Sequence, residues 1–546
     1  MPLLLPVLTI ILPLLGTVGV LGLSLVPRIR PYTHHIALTA AGLTTILILT
    51  FTWMGPVTVV PSLWQPSLLF GAALTLQTDV VMQPLALVLA LITCSALLVE
   101  LGRTTEGPRP RLVATLLALL SVGLVVLWAA NLLTMIISWA IYDLLHAAGH
   151  IAAGGSGRTA IRGLVFGCLA TLVLWSGALL SNGEAGSELW SLMALSGTPL
   201  TLWAVAGILR LWVYPLHLST PDDLDAAPSL AAPLLLGPIV GWGLWLRLAQ
   251  VNGGSVPGST WVPIVAAVTL AVGGFLAWSC ESPRRMLPWI GMGVSGAVLL
   301  AAGLAGESTA AVIVAGGVAW ALGIAVLFMS ESLQREVLWW NIPPLVGALA
   351  LVGVPLTLGF VVEAVLMGGL ADGGSLGLGG AFFVGHLFLV PSLVRWLLLS
   401  PSSPFPRREG GQGVKSVARG VGLGLPALLL IVAGLHPPLL IGGVQNPSLG
   451  RLFVMPGLRG WLLWTVSLVG GGVLAWQEGN LRPKIELFLS AAHDLLRLEW
   501  LYSAVAGALG RGLCMLRAAD EVVGGAGALL WSWLLFLLLL LVWGGK

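Results

Sequence analysis

Residues 206–229 contain the first group of side chains whose chemistry fits charge movement inside a membrane. An apolar run carries a single arginine, Arg210, and is interrupted at Pro215, which His217 follows closely. A charge within an apolar segment is energetically costly, so it is usually paired or lines a water-filled cavity. Proline breaks the helix and frees backbone carbonyl groups that lipid cannot satisfy. These residues predict a polar path, and the structural alternative is a kinked packing helix whose arginine snorkels to the surface.

A second stretch, residues 343–363, repeats this combination in the other half of the chain. It is apolar, it is interrupted at Pro355, and it carries one charged side chain, Glu363. Interrupted apolar segments with embedded charges in both halves of a chain are typical of membrane transporters that are built from structural repeats. The two stretches therefore predict one discontinuous helix in each half.

The overall composition places these stretches in a membrane protein. The 546 residues are 57% hydrophobic and only 9% charged, whereas soluble domains carry about 25% charged residues. The net charge of +3 and the scattered basic residues give no indication of nucleic-acid binding. The four cysteines form no CxxC motif, so neither a disulfide framework nor a metal or iron–sulfur site is expected. A dinucleotide-binding motif is absent as well, and we expect no cofactor and no redox chemistry in this chain alone.

Hydropathy predicts an all-α integral membrane protein with about 16 transmembrane helices, because a spanning helix needs about 20 apolar residues. The predicted spans are 3–26, 35–54, 80–101, 111–130, 132–152, 161–181, 192–214, 228–250, 260–280, 286–304, 309–330, 342–370, 379–400, 415–436, 457–477 and 523–544, with an external hairpin over 56–77. Most loop lysines and arginines then fall on the side opposite the N-terminus. Basic loops stay in the cytoplasm, so we predict a bacterial cytoplasmic membrane protein with its N-terminus outside.

Residues 480–521 differ from every predicted span, because charged residues are interspersed among leucine and aromatic residues. The segment is too charged to cross the bilayer, and about 35 helical residues would reach roughly 50 Å at 1.5 Å per residue. We expect an amphipathic lateral helix on the cytoplasmic side. It would either lie on lipid as a surface helix or strap neighbouring subunits together.

Several short motifs, in this order along the chain, carry a family resemblance. They are Asn131-Leu132-Leu133-Thr134 with Ser138-Trp139, Pro215-Leu216-His217 with Pro221-Asp222 and Ala227-Pro228-Ser229, Arg284-Arg285-Met286-Leu287, residues 321–328, and Gly353-Val354-Pro355 with Gly359-Phe360. The chain resembles the antiporter-like membrane subunits of respiratory complex I and their relatives in sodium/proton antiporters, membrane-bound hydrogenases and a bicarbonate-uptake system. The amphipathic segment is most similar to that of the largest such subunit.

The resemblance implies a specific arrangement of the chain. Two inverted five-helix repeats would each contain one discontinuous helix. The expected partition is 1–110 for the first three transmembrane helices and the hairpin, 111–250 and 260–400 for the two repeats, 415–477 for further transmembrane helices, 480–521 for the lateral helix, and 523–544 for a final anchor.

The chain departs from the family at positions that the resemblance assigns to proton transfer. The glutamate of the fifth helix falls on Ala140 and the lysine of the seventh helix on Arg210. The histidine and lysine of the central helix fall on Trp320 and Ile324, and the charged position of the twelfth helix falls on Glu363. A buried lysine can lose and regain a proton because burial lowers its pKa, whereas arginine stays protonated in proteins. We therefore expect altered or inactive half-channels.

One group of residues offers a replacement for the missing glutamate. Asp143 lies three residues after Ala140, and His146 and His150 follow it, so we expect Ala140, Asp143 and His146 to share a helix face. The hypothesis is that the acidic site has moved one turn toward the cytoplasm, where Asp143 pairs with Arg210 or with His146. The alternative is a polar helix end that reaches water. A metal site on these residues would lack a fourth ligand, and none is predicted.

Three other ionisable residues also have structural alternatives. For Glu363, the alternative is a pair with a neighbouring subunit. For His217, the alternative is a cap on the broken helix. His386 is a single histidine in an apolar span, for which a hydrogen-bonded packing role is the alternative to a role in proton transfer.

The resemblance implies a non-redox membrane subunit of a complex I-like ion- or proton-translocating oxidoreductase, of the NADH:quinone oxidoreductase or the hydrogenase type. Its expected partners are other membrane subunits, a peripheral redox arm and the lipid bilayer. Two alternatives stay open, namely a component of an ion antiporter or inorganic-carbon uptake system, and a purely structural scaffold for a peripheral enzyme. The lateral segment favours the first interpretation, and the missing proton-carrying residues favour the scaffold.

Overall fold

The computed structural model of the chain separates into two compact units, Met1–Arg482 and Pro483–Lys546. Within them, the structure describes residues 4–51, 56–60, 74–102, 109–181, 189–190, 193, 196–221, 223–224, 227–331, 338–373, 375–398, 412–441, 448–524 and 532–539. Asp222 of the sequence motif and most of the predicted anchor 523–544 lie outside these residues.

The described part of the first half contains helices and one small ribbon of two strands. The helices are α1 (Leu4–Ser24), α2 (Thr33–Phe51), α3 (Gln83–Leu101), α4 (Pro110–Leu127), α5 (Leu132–Ala152), α6 (Gly157–Leu180), α7 (Gly197–Arg210) and α8 (Gly237–Val251). The strands β1 (Val57–Val59) and β2 (Leu76–Thr78) pair antiparallel between α2 and α3. This pairing agrees with the hairpin predicted over residues 56–77, whose tip lies outside the described residues.

The second half is helical throughout its described residues. Its helices are α9 (Val262–Ser279), α10 (Pro283–Leu304), α11 (Thr309–Ser330), α12 (Ile342–Val352), α13 (Phe360–Gly373), α14 (Leu376–Leu398), α15 (Gln412–Leu435), α16 (Pro438–Ile441), α17 (Leu449–Val454), α18 (Gly457–Arg497) and α19 (Glu499–Gly524). Helix α11 is buried along nearly all of its length and packs against α3, α8, α10, α12 and α15. It is therefore the central helix of the first unit.

The predicted helical membrane fold is confirmed. Among the described residues, 13 helices are long and apolar enough to cross a membrane, compared with about 16 predicted spans. The difference lies in the two interrupted helices, because α7 has 14 residues and α12 has 11. The remaining predicted span, 523–544, is mostly outside the described residues.

The first interruption follows Arg210, where α7 ends. The chain continues without regular structure to a short 3-10 helix, His217–Ser219, and reaches α8 through another 3-10 helix, Ser229–Leu236. The backbone N–H of Tyr214 donates to the hydroxyl of Thr269 on α9 at 3.2 Å. A neighbouring helix thus satisfies a backbone donor that the break releases, as a low-dielectric environment requires.

The second interruption separates α12 from α13. Gly353 caps α12 in the left-handed conformation, with φ of 70°, and the N–H of Val354 returns to the carbonyl of Leu349 at 2.9 Å. The N–H of Leu358 donates to the carbonyl of Leu430 on α15 at 3.1 Å. Both discontinuous helices predicted from the sequence are therefore present, and the assignment of 111–250 and 260–400 to two inverted repeats stays a prediction.

Helix α18 extends across the boundary predicted between the span 457–477 and the lateral helix 480–521, and this partition of the chain stays a prediction. Helix α18 runs for 41 residues from Gly457 to Arg497 and contains Pro483, so no break separates the predicted span 457–477 from the segment that follows. The helix ends one residue before Leu498, which has a φ of 57°, and α19 begins directly after it. The segment 480–521 is therefore the second part of α18 followed by most of α19. Leu498, in the left-handed conformation, ends α18, whereas Pro483 lies within the helix without ending it.

Two arginines hold the part of α18 that belongs to the first unit. The Arg482 guanidinium donates to the carbonyls of Ser279 and Cys280 at the end of α9, both at 3.1 Å. Arg395 on α14 donates to the Cys280 carbonyl at 2.8 Å, and Glu478 accepts from Arg482 at 3.0 Å. Cations at a helix C-terminus satisfy its free carbonyl groups and its dipole. This junction explains why α18 passes the expected boundary as a single helix.

Replacement of Gly353 by alanine is expected to destabilise the protein. A Cβ atom at this position would lie 2.0 Å from Cγ of Glu363, and the left-handed conformation alone costs a residue with a Cβ roughly 1–2 kcal/mol. The measurement is the thermal unfolding midpoint of the purified protein in detergent. The matched control is Gly424→Ala on α15, where a Cβ would meet nothing within 4 Å. Equal midpoints for the two variants would contradict the account of this break.

Candidate functional site

A buried ion pair joins Asp143 on α5 to Arg210 at the end of α7. The two residues are 7% and 8% exposed. Nη1 of Arg210 contacts Oδ1 of Asp143, and Nη2 donates to Oδ2 at 2.8 Å. The geometry is that of a bidentate guanidinium–carboxylate pair, which is directional as well as strong. Of the two partners predicted for Asp143, the structure shows Arg210.

The Arg210 guanidinium has further contacts besides Asp143. Its Nη2 donates to the carbonyl of Gly167 and to the hydroxyl of Thr171 on α6, both at 3.0 Å. The guanidinium carbon also lies 4.2 Å from the ring centroid of Trp139, which is a favourable position for a cation over an aromatic face. One cation therefore links α5, α6 and α7 through four different groups.

Helix capping fixes where along α5 the carboxylate lies. The side chain of Asn131 accepts a hydrogen bond from the N–H of Thr134 at 2.9 Å, which caps α5. The side chain of Ser156 caps α6 in the same way, accepting from the N–H of Thr159 at 3.2 Å. Capping groups of this kind determine the first residue of a helix. Asp143 therefore lies in the middle of α5, at the depth where α7 ends.

Ala140 differs from Asp143 in burial, although the three-residue spacing makes the two side chains neighbours on α5. Ala140 is exposed, whereas Trp139, Tyr142 and Asp143 are buried. The carboxylate that faces Arg210 is therefore Asp143 alone.

Two histidines continue along α5 beyond Asp143. The His146 ring is stacked with Tyr142 at a centroid distance of 6.0 Å and meets His150 edge to face at 4.7 Å. Nε2 of His146 lies 2.7 Å from the carbonyl oxygen of Leu234, within the 3-10 helix that precedes α8. Because a carbonyl only accepts, Nε2 carries the hydrogen and Nδ1 is the unprotonated nitrogen.

A second buried pair joins Glu363 on α13 to His386 on α14. Nε2 of His386 and Oε1 of Glu363 are 3.1 Å apart, with side chains 1% and 4% exposed. Oε2 of Glu363 and Nδ1 of His386 are buried and have no hydrogen-bond partner among the described residues. Both members of this pair can bind a proton. Glu363 thus has a partner within the chain, where the sequence had suggested a neighbouring subunit.

The positions that the resemblance assigns to proton transfer on the central helix are apolar. Trp320 and Ile324 on the central helix α11 are fully buried. The indole N–H of Trp320 donates to the carbonyl of Gly291 on α10 at 2.8 Å, and its ring packs edge to face against Trp212. Ile324 has no group that binds a proton. These contacts are those of a packed hydrophobic core.

His217 lies within the first interruption and is 2% exposed. Its ring is stacked on Tyr214 and meets Trp289 edge to face, both at 5.4 Å. Its Nδ1 lies 3.1 Å from the carbonyl oxygen of Pro215. The structure therefore places His217 in the interrupted stretch, and the capping role considered for it stays a prediction.

Sequence reasoning missed several residues of these sites. Gly167 and Thr171 bind Arg210, but nothing in their local sequence marks them as functional. His386 was considered for packing or for proton transfer but not as the partner of Glu363, although their two spans are consecutive. A further buried cation, Arg247 on α8, pairs with Asp79 at 3.1 Å. The pairs Glu363–His386 and Arg247–Asp79 share one sequence feature that could have identified them, a single ionisable residue in an apolar segment. Among the described residues, no three His, Cys, Asp or Glu side chains gather as metal ligands do.

The fold and the sites define a class of protein, a polytopic helical membrane protein with buried ion pairs at or next to two interrupted helices. No family model matches the chain. It is 26% identical over 373 residues to NADH-quinone oxidoreductase subunit N of Mycobacterium sp. (strain JLS), covering 62% of this chain and 77% of that protein. It is also 26% identical over 445 residues to the subunit of the same name from Chromohalobacter salexigens, covering 72% and 88%.

Solved structures give the same result for the fold. A chain of the Mrp complex from Dietzia sp. aligns with a TM-score of 0.76 at 19% identity, over 99% of this chain but only 62% of that one. A chain of respiratory complex I from Thermus thermophilus aligns with a TM-score of 0.60 at 20% identity, over 79% and 98%. The predicted resemblance is confirmed, and the chain is a divergent relative of the antiporter-like membrane subunits of complex I. Its assignment to the largest subunit type stays a prediction, since these curated relatives are named subunit N.

Gly167→Ala is expected to disrupt the Asp143–Arg210 pair. A Cβ at this position would lie 2.5 Å from Cγ of Asp143, and overpacking a tight core typically costs about 1–3 kcal/mol. The measurement is the thermal unfolding midpoint. Gly163→Ala on the same helix is the control, because a Cβ there would meet nothing within 4 Å. A Gly167→Ala variant as stable as the control would show that α5 and α6 do not approach as described.

Proposed function

We propose that the chain is a membrane subunit of a complex I-like, ion-translocating oxidoreductase, and that its half-channels are altered. The observation that carries this proposal is the buried Asp143–Arg210 pair, which lies where α7 is interrupted in an antiporter-like fold. An intramembrane ion pair at a helix break is the arrangement in which transporters hold their charges. We further propose a bacterial cytoplasmic membrane, with the N-terminus outside.

The partners proposed for the chain follow from those of its relatives. The curated relatives are named as subunits of NADH-quinone oxidoreductase, and the solved structures that align with it belong to the Mrp complex and to a membrane-bound sulfane sulfur reductase, which is an archaeal respiratory membrane complex. We propose other membrane subunits and a peripheral redox arm as its partners. The second part of α18 together with α19 would contact neighbouring subunits, and lipid would surround the first unit.

The proposal of altered half-channels is supported by the residues of the central helix. Trp320 and Ile324, at the positions that the resemblance assigns to proton transfer, are fully buried and packed. Neither side chain can relay a proton. We therefore propose that the Asp143–Arg210 pair and the Glu363–His386 pair work separately, with a dry barrier between them.

One observation favours a second candidate function. A chain of the Mrp complex aligns with this chain at a TM-score of 0.76 over 99% of this chain's length. An ion-antiporter component without a redox arm would use the same fold. A purely structural scaffold is favoured by the same apolar residues on α11.

Purification of the native complex from its source membrane, followed by mass spectrometry of the partners, tests the proposal. We expect NADH-dehydrogenase or hydrogenase subunits to co-purify with the chain in fixed proportion. Co-purification of antiporter subunits alone would replace the proposal with the second candidate. Recovery of the chain alone, or with a soluble metalloenzyme, would contradict the complex I-like assignment and favour an uptake or scaffold role.

A further inference from the structure

We propose that Asp143 is a carboxylate switch, and that His150 and His146 form the proton relay that reaches it from the α5–α6 turn. This inference rests on the proposed ion-translocating function and assigns that function to particular atoms. It follows from three observations: the chemistry of the Asp143–Arg210 pair, the contacts of the guanidinium, and the row of titratable side chains along α5.

The chemistry of the pair identifies which member changes its protonation state. Arginine stays protonated in proteins, so Arg210 cannot give up its charge. Asp143 is therefore the only member of the pair that can take up a proton. In a pair of this kind, the switching event is neutralisation of the carboxylate, and the cation stays charged throughout.

The contacts of Arg210 suit a state in which Asp143 is neutral. When the carboxylate is protonated, the guanidinium keeps the Gly167 carbonyl, the Thr171 hydroxyl and the Trp139 ring. An unpaired buried cation without such partners would be strongly destabilising. A carbonyl, a hydroxyl and an aromatic face therefore allow the cation to stay buried while its counter-ion is absent.

The proton path is the row of side chains on α5. Asp143 lies nine residues before the end of α5 at Ala152, a depth of about 14 Å at 1.5 Å per residue. His150 lies in the last turn, and its ring meets that of His146 at 4.7 Å. His146 is three residues from Asp143, within the spacing at which helix side chains are neighbours.

The groups around His150, His146 and Asp143 are those that a proton relay requires. Nε2 of His146 is held by the Leu234 carbonyl at 2.7 Å, so Nδ1 is the atom that gains and loses the moving proton. The groups that face the row are Tyr142 on α5 and the Arg210 cation on α7. At the α5–α6 turn, the carboxylate of Asp223 accepts from the N–H of Ser156.

Each transfer balances without a further reactant. A proton from water binds the His150 ring, which passes it to Nδ1 of His146 and returns to its neutral form. His146 then passes the proton to a carboxylate oxygen of Asp143 and becomes neutral in turn. The carboxylate becomes a carboxylic acid, and Arg210 keeps its charge and its remaining contacts. Reversal of the same steps restores the ion pair.

Infrared difference spectroscopy of the full-length protein, after a drop in pH, tests this inference. We expect a carbonyl stretching band of a protonated carboxyl group that shifts in deuterated water and is lost in Asp143→Asn. In His146→Phe and His150→Phe, the band should form more slowly than in the wild type. His35→Phe, at an exposed position on α2, is the control and should leave its rate unchanged.

A second variant keeps the test decisive if Asp143→Asn does not fold. Thr171→Val removes one of the contacts left to Arg210 and should reduce the amplitude of the band. A wild-type spectrum without a protonated-carboxyl band would overturn the switch, and wild-type rates in both histidine variants would overturn the relay. These outcomes do not depend on which subunits co-purify, so failure of this inference and failure of the proposed function can be distinguished.

Discussion

Asp143 and Arg210 form a buried ion pair at the point where the interrupted helix α7 ends. Removing one partner of a buried ion pair typically costs about 3–5 kcal/mol, because the other charge is left uncompensated. The bidentate geometry and the groups on α6 compensate that charge here. The same contacts bind three helices together, so the ion pair is both the candidate functional site and a structural constraint on the first unit.

The second half of the chain contains a buried pair of a different kind. Glu363 and His386 can each bind a proton, and each keeps one polar atom without a hydrogen-bond partner among the described residues. On the central helix α11, Trp320 and Ile324 pack as core residues. The resemblance to antiporter-like subunits assigns proton-carrying side chains to these positions, so alteration of the half-channels stays a proposal.

The sequence predicts the fold well because apolar run length, proline and isolated charges are local signals. These signals identify both helix interruptions and the membrane class. They also identify the candidate residues Asp143, Arg210 and Glu363. Arg210 was among the partners predicted for Asp143, but the contacts of Thr171 and His386 could not be identified, because these residues reach the sites only through packing between helices. The exposure of Ala140 and the continuity of α18 were missed for related reasons. Whether a side chain is buried depends on how neighbouring helices orient its own helix. A proline within a helix is tolerated when other contacts hold that helix, as the contacts of Arg482 do next to Pro483.

The most direct test of the account is a double-mutant cycle on the ion pair, with Asp143→Leu, Arg210→Met and the combination of both. The free energy of unfolding in mixed micelles is the quantity to measure. The account predicts that each single variant loses about 3–5 kcal/mol and that the double variant recovers most of it, because no buried charge remains unpaired. Additive losses in the double variant would mean that the two side chains do not depend on each other, and would contradict the account.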